Sequence, residues 1–143
     1  MAALPKVVSP LVRIAEREGV ELVLVSVEAW PDEVVVWMRA LPTKLTARLD
    51  ADFHLALEAW HREGGGGLPP GQPADQVFDF DVALADSVGT PYRTRSSARG
   101  GTGTMFRADW TFAPGPPDAA RYLTVRVAGV NGGEQGIDLR PNE

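Results

Sequence analysis

The sequence predicts a mainly β protein, an antiparallel β-sandwich of about seven or eight strands with one added amphipathic helix near 44–62. Three observations carry this. Short runs with an apolar residue at every second position recur along the chain, each bounded by Gly, Pro or Asp. Only the stretch Leu45–Trp60 changes period, with apolar residues spaced by four, four, four and three. Strands and helices do not alternate, as a doubly wound parallel sheet would require. At 143 residues the chain fits one domain, 1–143, long enough to bury a sizeable core.

The first run, Leu11–Glu16, sets Val12 and Ile14 on one side and Arg13 on the other, and stops at Glu18-Gly19. In the next, Val20, Leu22 and Leu24 form one face while Val23, Val25 and Val27 form the opposite one. A strand apolar on both faces is expected in the middle of a sheet, covered on each side. Trp30-Pro31-Asp32-Glu33 supplies a turn, and Val34–Met38 returns as a β-branched partner in a hairpin. The helix follows. Its stripe is Leu45, Leu49, Phe53, Leu57 and Trp60, Thr43 is placed to cap its N-terminus, and Gly64–Gly67 end it. The prolines of Leu68–Pro73 then predict an extended surface crossover.

The second half reads as strands again. Phe78, Phe80, Val82 and Leu84 point one way over Val77–Leu84, with Asp79, Asp81 and Ala83 opposite. Phe106, Ala108, Trp110 and Phe112 repeat the alternation against Arg107, Asp109 and Thr111. Leu123, Val125 and Val127 do so against Thr124 and Arg126, and Ile137 with Leu139 predict a short last strand. Between them, a hairpin connection is expected from a strand ending near Thr94 to one starting near Thr104. Trp110 and Trp60 are expected in the core, whereas Trp30, beside Pro31 in a turn, is expected at the surface.

Composition excludes several function classes. There is no Cys, so thiolate metal sites, disulfides and a Cys nucleophile are ruled out. With 14 Lys+Arg against 19 Asp+Glu the net charge is −5, which argues against a duplex-DNA binder. The N-terminus lacks the basic and apolar regions of a secretory signal, and Val20–Trp30 is too short and too interrupted to span a bilayer. These features predict a cytoplasmic protein without membrane insertion, with a soluble piece or relative of an extracytoplasmic domain as the alternative.

Three groups of residues carry possible chemistry. His54, Glu58 and His61 lie four and seven apart, on one side of the predicted helix, and two imidazoles with a carboxylate can ligate zinc. The metalloprotease spacing is absent, and a solvated polar face explains the set as well. Asp79, Asp81 and Asp86 could bind calcium, but no Gly turn interrupts the run, and outward acids also block edge pairing. Arg99-Gly100-Gly101-Thr102-Gly103-Thr104 is the third, flanked by Arg93, Arg95 and Arg107. Its glycines permit an anion nest, although no helix start follows it as in a phosphate cradle. The five serines occupy no nucleophile elbow, so no catalytic residue is assigned.

One stretch resembles a known kind of domain. Leu84-Ala85-Asp86-Ser87-Val88-Gly89-Thr90-Pro91-Tyr92 looks like a strand entering an Asp-x-x-Gly-x-x-Tyr turn. It is followed by Gly100–Thr104, by Trp110-Thr111-Phe112-Ala113-Pro114-Gly115-Pro116-Pro117-Asp118-Ala119, and by Leu123–Val127. This order is similar to immunoglobulin-like β-sandwich domains of uncharacterised bacterial, notably actinobacterial, proteins, and to the extracytoplasmic domains of some anti-sigma-factor-like proteins. The resemblance implies a fold and no catalytic residues. Physically, Asp86 can accept turn N–H groups, Gly89 can take a positive φ, and the Tyr92 hydroxyl can find a backbone partner as in a tyrosine corner. Pro114, Pro116 and Pro117 form a stiff link between sheets.

The function expected is that of a non-enzymatic interaction or accessory module with an unidentified protein partner and no cofactor. Its contact surface is Trp30 with the 64–73 loop, or the Arg93, Arg95, Arg99 and Arg107 hairpin. The alternative is a small-molecule or anion-binding protein using Arg93, Arg95 and Arg99. A metal-dependent enzyme using His54, Glu58 and His61 is third.

Overall fold

The structure, a computed structural model, describes residues 3–101, 105–128 and 131–140. In chain order the elements are β1 (Lys6–Val8), β2 (Val12–Arg17), β3 (Val20–Ala29), β4 (Val34–Ala40), α1 (Lys44–Arg62), α2 (Pro73–Val77), β5 (Asp81–Asp86), β6 (Arg93–Gly100), β7 (Arg107–Ala113), β8 (Tyr122–Ala128), β9 (Asn131–Gly132) and β10 (Glu134–Asp138). They form two antiparallel sheets. The larger, seven-stranded, runs β6-β7-β4-β3-β2-β9, with β1 also paired to β3; the smaller runs β10-β8-β5. The expected mainly β sandwich with an added helix at 44–62 is what is found, together with a second, five-residue helix.

Alternation explains the core. Leu22, Leu24, Val34, Val36, Met38, Ala108, Trp110 and Phe112 of the large sheet are buried, as are Val82, Leu84, Leu123, Val125, Val127 and Ile137 of the small one. Trp110 anchors an aromatic group, stacked on Phe80 at 5.6 Å and edge-on to Phe78 at 6.2 Å.

Two bulges change the faces expected from strict alternation. The register of β3 on β4 shifts between Leu24 and Ser26, so Val27 is buried with Leu24 and does not share a face with Val23. A shift in β2 between Arg13 and Ala15 likewise buries both Ile14 and Ala15. The middle position of β3 is as expected, but its second face is not covered: Val23 and Val25 are half-buried.

The helix matches its expected bounds, capped by a reciprocal box. Thr43 Oγ1 accepts the Thr46 N–H at 3.3 Å, and Thr46 Oγ1 accepts the Thr43 N–H at 2.8 Å. Only Thr46 is buried in α1. Leu45 and Leu49 pack on the core, while Phe53 and Leu57 stay half-buried. Trp60, expected in the core, is also half-buried; its indole N–H donates to the Gly66 carbonyl at 3.1 Å and fastens the glycine turn to the helix end.

Three further expectations need correction. A strand through Val77–Leu84 begins only at Asp81, because Pro73, whose fixed φ suits a first helical position, opens α2 instead of continuing an extended crossover. The strand expected to end near Thr94 runs to Gly100 as β6, an edge strand whose residues Arg93–Ala98 are all exposed. Such a strand carries no apolar alternation to betray it, and its polarity suits an unpaired edge. The short β1 and β9 had no sequence signal.

Candidate functional site

The pairing registers arrange the outward residues of the large sheet in rows. One row reads Arg13, Val23, Arg39, Arg107, Gly100 across β2, β3, β4, β7 and β6. The next reads Ser26, Trp37, Asp109, Ala98, and the third reads Val7, Glu28, Val35, Thr111, Ser96. Val23, Val25, Val35 and Trp37 are half-buried, and Val7 is 56% exposed. This face carries an apolar centre with charged margins.

Glu28 organises one margin. Its Oε1 accepts the Trp30 indole N–H and its Oε2 accepts the Trp37 indole N–H, each at 3.1 Å. The two rings are thereby held by one carboxylate. Trp30, the expected surface anchor, is half-buried and lines a depression with Pro31, Pro116 and Pro117. Nearby, burial raises the Asp109 carboxyl above its ordinary value, the Arg107 charge opposes this, and Glu28 adds to the rise.

The expected arginine cluster is redistributed. Arg93, Arg95 and Arg99 lie along β6, spread over roughly 20 Å of extended strand. Arg95 is paired with Glu33 of the β3–β4 turn at 3.6 Å, so the cluster does meet an acid. Arg93 is exposed opposite Ala113. Arg99 lines a depression of about 250 Å³ with Trp37, Ala98, Gly100, Arg107 and Asp109. Thr102, Gly103 and Thr104 of the glycine loop lie outside the described residues. What Arg107 does face is Arg39, its direct cross-strand partner. Sequence reading missed Arg39, Trp37 and Asp109. Asp109 shares β7 with Arg107, two residues on; Arg39 and Trp37 come from β4, and nothing in sequence pairs β4 with β7.

His54 is exposed and sits 3.4 Å from Asp50, one turn back, while His61 tilts against the Trp60 ring at 4.9 Å. Glu58 is exposed. Among the described residues no three His, Asp or Glu groups converge where a metal ion could be held. Of the three acids, Asp79 and Asp81 are exposed, with Asp79 3.9 Å from Arg17; Asp86 organises its own turn. Among the described residues no helix is long and apolar enough to cross a membrane.

The class these features define is a two-sheet β protein with an added helix and one partly open sheet face. Compared with protein-family models, with curated proteins and with solved structures, the chain finds no match.

Proposed function

We propose that the protein is a non-enzymatic interaction module that binds a protein partner through the outer face of its large sheet. The observation that carries this reading is the patch formed by Val7, Val23, Val35 and Trp37, partly open to solvent and ringed by Glu28, Arg39, Arg107 and Asp109. An apolar centre with a polar rim is how protein interfaces are built, and aromatic residues with Arg are their usual anchors. The Glu28 carboxylate holds Trp30 and Trp37 before any partner arrives, which lowers the entropy lost on binding. Two antiparallel sheets also support reading the sandwich as immunoglobulin-like. That fold hosts many roles, so the functional argument rests on the face.

The test is comparative capture from cells of the source organism. Tagged wild type is set against a Val35→Lys/Trp37→Ala double variant and against Ala83→Lys, which alters the exposed side of the small sheet. The reading expects a defined protein retained by wild type and by Ala83→Lys but lost by the double variant. Undiminished retention by the double variant overturns it.

A further inference from the structure

The row Arg13, Val23, Arg39, Arg107, Gly100 is unusual in its charge. Like charges placed directly opposite on neighbouring strands repel, and a sheet gains nothing from such a pair by itself. Arg13 is neutralised by Glu21 at 3.1 Å. Arg39 and Arg107 make no ion pair with any described residue; the Arg39 guanidinium donates instead to Met105 Sδ at 2.9 Å, and Asp109 reaches Arg107 only as a longer-range charge. Both side chains are exposed and line a depression of about 330 Å³ with Gly101 and Met105. The edge-strand residue beside Arg107 is Gly100, where a side chain would otherwise narrow the approach.

A second depression meets the first at Arg107. It is bordered by Trp37 and Asp109 and by the β6 residues Ala98 and Gly100. Two guanidinium groups thus stand side by side next to Gly100 with one partly opposing carboxylate, near an aromatic ring whose indole N–H is held by Glu28.

We propose that Arg39 and Arg107 bind the phosphate group of a small phosphomonoester, with the organic part of that ligand lying against Trp37. Two guanidinium forks offer the parallel donors that a tetrahedral oxyanion accepts, and an oxyanion between them relieves their repulsion. The Trp37 ring adds apolar contact that inorganic phosphate alone cannot use. Polynucleotide is the wrong match, because the net charge is −5 and Glu28 and Asp109 border the face. This site shares Trp37, Arg39 and Arg107 with the proposed protein interface but does not rest on it: it concerns free small ligands and is tested with no partner present.

The experiment is a titration of the whole chain with phenyl phosphate, inorganic phosphate and phenol, followed by the Trp37 indole N–H resonance and by melting temperature. Phenyl phosphate is expected to shift the resonance and raise the melting temperature, inorganic phosphate to do so more weakly, and phenol not at all. Arg107→Gln and Arg39→Gln are each expected to weaken phenyl phosphate by at least about tenfold. Arg93→Gln, on the same strand as Arg99 but far from the row, is expected to leave it unchanged. Equal binding in all three variants overturns the site. Equal affinity for phenyl phosphate and inorganic phosphate overturns the role given to Trp37.

Discussion

The Tyr92 hydroxyl donates a 2.7 Å hydrogen bond to Asp86 Oδ2, while Oδ1 of the same carboxylate accepts the N–H groups of Val88 and Thr90 at 3.0 Å each. One side chain therefore closes the turn between β5 and β6 and ties down the ring that packs against the core. The expected device is present, with its donor pointed elsewhere: Tyr92 bonds a carboxylate and not the backbone. Gly89 takes the positive φ of 77° that the turn needs.

This relationship fixes a pH dependence. Burial raises the Asp86 carboxyl, but the Thr90 side chain and N–H, the Tyr92 hydroxyl and the Val88 N–H outweigh it, lowering the pKa from 3.8 to about 2. Burial, then the hydrogen bond to Asp86 and its charge, push the Tyr92 hydroxyl above its ordinary value, against a smaller lowering by Thr90. A lowered acid stabilises the fold fully above 3.8 and loses that contribution as pH falls through about 2. Asp86→Asn is therefore expected to cost about 1–2 kcal/mol at neutral pH, discounted for the partial exposure of the turn. Urea unfolding across this pH window checks it; the gap from wild type should close at the acid end.

Asp109 has the opposite sign. Its carboxyl is raised above 3.8 by burial, with Glu28 adding to the rise against the pull of Arg107. A raised acid favours the fold below 3.8 and costs stability as pH climbs through the folded value. Asp109→Asn should raise the melting temperature at neutral pH, and the gain should vanish below 3.8. Calorimetry at two pH values is sufficient.

Gly115 is buried where a Cβ would strike the carbonyls of Trp30 and Pro31. The link between the sheets leans directly on the β3–β4 turn. Gly115→Ala should cost about 1–3 kcal/mol, as overpacking does. Gly66→Ala faces open space and should change stability by less than about 0.5 kcal/mol. Chemical denaturation of both variants compares them.

Glu28→Gln removes the charge that both indoles share. A neutral amide retains one carbonyl acceptor, so only one of Trp30 and Trp37 can keep its present bond. One indole N–H should exchange with solvent markedly faster, with a stability loss of about 1 kcal/mol. Nitrogen-15 spectra of the indole region measure both.

Much of the fold was legible because alternation is a local property. The faces of β7 and β8, the span of α1 and the Thr43 cap all follow from residues within a few positions of one another. Elements without apolar period were invisible: β6 is polar on both sides, and α2 is too short to express a helical stripe. The faces of β3 failed at Val27 because a bulge is decided by pairing, which local pattern does not contain. The candidate site suffered most. Arg107 stands out by its neighbours in sequence, yet beyond Asp109 on its own strand its partners are Arg39 and Trp37, joined only when β4 pairs with β7. Trp30 is marked in sequence by its turn, while its tie to Trp37 through Glu28 belongs to the folded sheet.

Binding of a protein partner to the outer sheet face is decided by photo-crosslinking in cells of the source organism. A crosslinking residue is placed at Thr111, in the row with Val35 and Glu28, and in a parallel strain at Ala83 on the exposed side of the small sheet. The prediction is one discrete crosslinked protein from Thr111, absent from Ala83 and abolished by Trp37→Ala. Crosslinking at Ala83 with none at Thr111 puts the partner on the other sheet and overturns the interface.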